Sequence, residues 1–195
     1  MPSRTALAAK VSRSSSKIKV HVAAVPMEPS HRSNTKSHVV LDVLGPTVEF
    51  MVLPSESEDR YCVLKGTIPP GVSIPLHSHP DDESFFLLSG IVQALEPGQD
   101  GFEGITMHAG DFRHVPQGVR HAWKNQSNEP AVVIIVTTSR LGRFFQEIGR
   151  PVAPDALLKP PSLTDVQRFA EVAARYHHWL ASPEENAAVG INLLA

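Results

Sequence analysis

Between residues 38 and 138 the apolar positions come in short runs with a period of two, broken by glycine, proline and small polar clusters. Beyond Ser139 they recur at helical spacing. The first pattern belongs to strands, whose side chains alternate between faces, and the second to amphipathic helices. His38–Leu44, Thr47–Leu53 and Tyr61–Ile68 predict strands, separated by Gly45-Pro46, the polar loop Pro54–Asp59 and Pro69-Pro70-Gly71. Ile74–His79 predicts a short strand and Pro80-Asp81-Asp82 a turn of solvated residues. Glu83–Leu95 predicts one long strand with Gly90 in its interior. Phe85 and Leu87 share the face of Glu83, and Phe86 and Leu88 the opposite one, so one face is expected to line the barrel and the other to meet an outer layer or a second subunit. Glu96–Gly104 predicts a loop. Ile105–His108, Phe112–Val115 and His121–Asn125 predict short strands, and Ala131–Thr138 a buried one. Many short strands between turn signals indicate an all-β barrel.

In the helical part, Leu141–Ile148 carries Phe144, Phe145 and Ile148 on one face, with Gly149 as a stop. Residues 150–161 predict a proline-rich linker. Ser162 with Asp165 forms a capping-box pattern, followed by Leu163, Val166, Phe169, Ala170, Ala173 and Tyr176 at helical spacing. Ser182-Pro183-Glu184-Glu185 predicts another helix start. The expected organisation is an N-terminal arm over 1–37, a barrel over 38–140 and a helical extension over 141–195. The arm has Arg4, Lys10, Arg13, Lys17 and Lys19 and no acid before Glu28. That composition suits a loose arm, an organelle transit peptide, or an arm packed on a partner subunit. A secretory signal is not expected, because no apolar segment follows the first charges.

Composition narrows the functional classes. The 195 residues carry a formal net charge of −2, which makes no case for nucleic acid or an anionic membrane. No apolar run approaches the roughly 20 residues that span a bilayer. Cys62 is the single cysteine, so no intrachain disulfide forms, and a reducing cytoplasmic location is expected.

The candidate chemistry is metal binding. His77 and His79 stand two apart, which on a strand puts both imidazoles on one face. Glu83 and His121 can complete a set of three imidazoles and one carboxylate, a mixture that suits borderline divalent metals. Trp123, two residues after His121, shares the inward face and can form a flat wall for an aromatic substrate, or simply fill the core. Phe85 and Leu87 are candidate pocket lining. His114 shares a strand face with Phe112 and is either a pocket residue or a surface one.

Two blocks, Gly71–Gly90 and Gly110–Asn125, resemble the two motifs of the cupin superfamily. Every fixed position of those motifs is present: Gly71, His77, His79, Glu83, Gly90, Gly110, Pro116, Gly118, His121 and Asn125. The resemblance implies a double-stranded β-helix (jelly-roll) barrel with a metal inside it, held by His77, His79, Glu83 and His121. Iron, manganese, nickel, cobalt, copper and zinc all remain open as its identity. Arg143–Gly149, the proline-rich link and the following helix are similar to the tail of bacterial quercetinase-like cupins. That similarity implies a dioxygenase using O₂ on a small enolisable or phenolic substrate, with Glu83 either as ligand and general base or as a ligand alone. A non-catalytic ligand-binding cupin and an O₂-independent isomerase or hydrolase are the alternatives. A homodimer is expected for this fold.

Overall fold

The computed structural model describes residues 39–153 and 160–192. The barrel strands are β1 (Val40–Asp42), β2 (Thr47–Val52), β3 (Cys62–Ile68), β4 (Ser73–Ser78) and β5 (Glu83–Ser89), then β6 (Ile91–Gly98), β7 (Gly101–His108), β8 (Phe112–Val115), β9 (His121–Lys124) and β10 (Ala131–Thr137). Helix α1 (Ser139–Ile148) follows, then β11 (Arg150–Val152), α2 (Leu163–Arg175), β12 (Trp179–Leu180) and α3 (Pro183–Ala188). Two antiparallel sheets face each other. One has the order β11-β1-β2-β3-β10-β5-β8 and the other β12-β4-β9-β6-β7. This is the double-stranded β-helix.

The core lies between the sheets and follows from strict alternation. Cys62, Leu64 and Ile68 of β3, Phe85 and Leu87 of β5, and Val133 and Ile135 of β10 are buried, as are Val92 and Ala94 of β6, Met107 of β7 and Trp123 of β9. Each fully buried large apolar side chain contributes about 1.5–3 kcal/mol to this core. The opposite faces are more open. Phe86, Leu88 and Phe112 are exposed, the last at 63%. Among the described residues no outer layer covers this face of β5, which leaves a second subunit as the remaining expected cover.

Three expectations need correction. The long strand Glu83–Leu95 is two strands in different sheets, β5 and β6. Gly90, at φ 82°, turns the chain between them. A Cβ there would stand 2.6 Å from the Pro130 carbonyl oxygen and 2.7 Å from Ala131 Cα, so only glycine fits. The loop expected over Glu96–Gly104 is a hairpin. β6 and β7 pair in register from Ile91↔His108 to Gly98↔Gly101, and Arg113 forms an ion pair with Glu96 on its flank. Turn-forming residues and charges were misleading there because the hairpin end faces solvent. The linker expected over 150–161 begins with β11, which pairs antiparallel with β1, while Arg150 pairs with Asp42 and Asp165. The N-terminal arm expected over 1–37 lies outside the described residues.

The stretch after residue 140 supports the barrel rather than trailing from it. Thr138 accepts from Leu141 N to start α1, and Ser162 and Asp165 close a capping box at α2. Phe144 of α1 packs on Phe169 and Tyr176 of α2. Leu163 and Val166, expected on the packed face of α2, are exposed, and Val172 and Ala173 take the buried positions. β12 pairs with β4, with Leu180 opposite His77. The Asn186 side chain of α3 is fully buried. It accepts from Leu76 N at 2.9 Å and donates to the carbonyls of Ala181 and Ser182. The C-terminal segment thus braces the strand that carries His77.

Candidate metal centre

Both sheets contribute to one cluster. His77 on β4 stands in register opposite His121, the first residue of β9. His79 lies just beyond β4, and its carbonyl accepts from Gly118 N at 2.7 Å. Glu83 opens β5 in the other sheet, between Val115 and Thr137 of its neighbours. The register between β4 and β9 shifts between Ile74 and His77, where Pro75 removes a ladder donor. The same Pro75 offers its carbonyl to His77 Nδ1 at 2.7 Å. Val119 O stands 2.9 Å from His121 Nδ1 in the same way. A proton held on Nδ1 by a backbone carbonyl leaves Nε2 with its lone pair, the usual tautomer of a metal-bound imidazole.

One ligand atom from each of His77, His79 and His121 falls within 4.8 Å of the others, so the three could hold one metal ion. Glu83 Oε2 lies 3.0 Å from His79 Nε2 and 3.3 Å from His121 Nε2. His121 Nε2 is buried and has no well-aligned hydrogen-bond partner among the described residues. A buried nitrogen lone pair beside two more imidazoles and a carboxylate fits a borderline divalent cation. Electrostatics agree at His77 and Glu83, whereas His79, although burial lowers it, is raised by its contacts with Glu83. Burial and the neighbouring imidazoles of His121 and His79 hold His77 well below the ordinary imidazole range, so it is neutral and able to coordinate. Burial alone would raise Glu83. Contacts with His121 and His79 outweigh it and keep the carboxyl well below the usual range, hence ionised.

The cluster lies in a cavity of about 490 Å³ whose lining includes Phe85, Leu87 and Trp123. The Trp123 ring stacks on Phe85 at 4.4 Å, and its Nε1 is buried without a partner among the described residues. Phe144, Phe145, Val166 and Phe169 of α1 and α2 extend the apolar lining outward. His114 does not enter the cavity. It is exposed on the outer face of β8, and its Nδ1 meets Ser84 Oγ at 3.0 Å. Residues 112 and 114 do share a face, but it is the solvent face. Asp81 also departs from expectation. It is buried, not solvated, and its carboxylate accepts from Thr138 Oγ1 and pairs with Arg140 at 3.1 Å.

His178 is the residue that sequence reasoning missed. It lines the cavity, with its ring 5.2 Å from that of His79 and 4.2 Å from that of Phe144. No spacing signal could have found it, because it returns to the site only through the packing of α2 and β12.

Residues 64–137 match the family model described as a cupin domain. Among curated proteins, the quercetin 2,3-dioxygenase of Bacillus subtilis (strain 168) is 32% identical over 108 residues, 53% of this chain and 30% of that protein. The acireductone dioxygenase of the same organism is 40% identical over 65 residues, 32% of this chain and 36% of that protein. The chain thus spans about a third of the length of these relatives. Among solved structures, oxalate decarboxylase from Bacillus subtilis aligns with a TM-score of 0.45 at 22% identity, covering 51% of this chain and 27% of that one. An uncharacterized double-stranded β-helix protein from Klebsiella pneumoniae aligns with a TM-score of 0.43 at 19% identity, covering 52% and 84%.

Proposed function

From the premise that this chain carries a cupin domain and resembles quercetinase-like cupins, we propose that it is a metal-dependent dioxygenase acting on a small enolisable or phenolic substrate. The observation that carries this reading is the convergence of three imidazoles and one carboxylate at an apolar cavity, with two imidazoles set by backbone carbonyls to present Nε2. His77, His79, Glu83 and His121 would hold the metal. A redox-capable divalent ion held there would supply Lewis-acid and redox chemistry.

The chain's own residues do the rest. Glu83, ionised between His79 and His121, can accept the proton of the substrate hydroxyl at Oε2. Burial of that carboxylate keeps water from competing for the proton. Trp123 and Phe85 offer aromatic faces against which a planar substrate can lie. The apolar side chains of α1 and α2 make the cavity favour a substrate with an apolar body over a small charged acid.

The test is O₂ consumption by metal-reconstituted protein offered flavonols, catechols and β-diketones. Substrate-dependent uptake that falls at least about a hundredfold in Glu83→Gln is expected, in line with the loss of a general base. Ligand binding without uptake for any of these compounds would contradict the oxygenase reading and favour a binding module.

A further inference from the structure

His178 reaches the cavity from outside the barrel, on the turn between α2 and β12. Three supports hold it there. Its backbone N–H donates to Ala173 O at 2.9 Å. His177 before it adopts φ 60°, a left-handed conformation that a non-glycine residue keeps only where its surroundings fix it. Arg140, paired with Asp81 beside His79, donates to the carbonyl of Tyr176. The ring is packed on Phe144 and next to His79. Yet its Nε2 is buried and has no hydrogen-bond partner among the described residues. A buried polar nitrogen left unsatisfied is destabilising. A phenylalanine would fill the same space without that cost.

We propose that His178 is a substrate-contacting residue, whose Nε2 hydrogen-bonds a second oxygen of a ligand whose first oxygen is held at the His77–His79–Glu83–His121 cluster. The inference rests on the metal-site reading above. It narrows the ligand class to compounds with two neighbouring oxygens, such as catechols and 3-hydroxyenones, over simple phenols. The nitrogen stands beside His79, whose own Nδ1 is also buried without a partner among the described residues, and the packed ring holds it at a fixed position there.

Cobalt-loaded protein titrated with catechol and with phenol, followed by the visible spectrum of the metal, tests this directly. His178→Phe keeps a ring on Phe144 and removes the nitrogen; His178→Gln restores a polar nitrogen near the same place. Wild type should prefer catechol. The His178→Phe variant should keep its cobalt, melt at the same or a higher temperature, and lose about tenfold of that preference. His178→Gln should recover part of it. An unchanged preference in His178→Phe would overturn the proposal. So would loss of cobalt or a lower melting temperature in both variants, since the ring would then be structural. If wild type binds no cobalt, the metal reading fails with it. If it binds cobalt but neither compound perturbs the spectrum, only the substrate role falls.

Discussion

Each imidazole of the cluster is set by a different local device, and that decides which of them a sequence reveals. His77 and His79 are two apart beside one strand, so their common face follows from covalent geometry. His121 meets His77 through strand register, and the block that carries it has turn residues, Pro116 and Gly118, that mark its position. His178 has neither kind of signal. Its place depends on α2 folding back and on β12 pairing with β4, so it is legible only in three dimensions. Asp81 was misjudged for the same reason, because its partners Thr138 and Arg140 lie more than fifty residues away. Titration at this scale has a defined sign. Burial first, and then the charges on His79 and Arg140, lower His178 from the ordinary 6.5 to about 4. Between those values the unfolded chain binds more protons than the folded one, so the stability contributed by the neutral ring is complete above pH 6.5 and is lost as pH falls toward 4. Glu83, held low, loses its contribution on the acid side as well. The melting temperature of His178→Phe should therefore rise relative to that of the wild type as pH falls from 6.5 toward about 4. Equal slopes for the two proteins would contradict this assignment.

At the scale of elements, alternation located most strands to within a residue or two, and the capping box located α2. Errors arose where one residue has two readings. Gly90 inside an apolar run resembles a weak point in a strand, but it is the corner at which the chain changes sheets. Glu96-Pro97-Gly98 resembles a loop, but it is the solvent end of a hairpin. Gly90→Ala combines a left-handed backbone with contacts of 2.6 and 2.7 Å to the backbone of Pro130 and Ala131. It should destabilise by about 1–3 kcal/mol from the backbone strain alone, and by more once the contact is included. Chemical denaturation measures this, and a change below about 0.5 kcal/mol would mean that the corner relaxes freely.

Across the described residues, the sheets, the three helices and the short strand β12 form one support for a small polar cluster at an apolar cavity. Pairing of β4 with β9 in one sheet joins His77 and His121, packing of the other sheet brings in Glu83 of β5, and Asn186 and β12 hold β4 from outside. Among the described residues no helix is long and apolar enough to cross a membrane. The fold class was legible because ten motif positions and a period of two point to the same barrel. The bracing by the C-terminal segment was not, because β11 and β12 are two or three residues long and leave no periodic trace. The proposed metal site is tested by the metal content of untagged protein after reconstitution and desalting, measured beside the His77→Ala/His121→Ala double variant. Close to one divalent ion per chain is expected in the wild type, with loss of that ion in a variant that remains folded by circular dichroism. Equal metal content in the two proteins, or none in either, would contradict it.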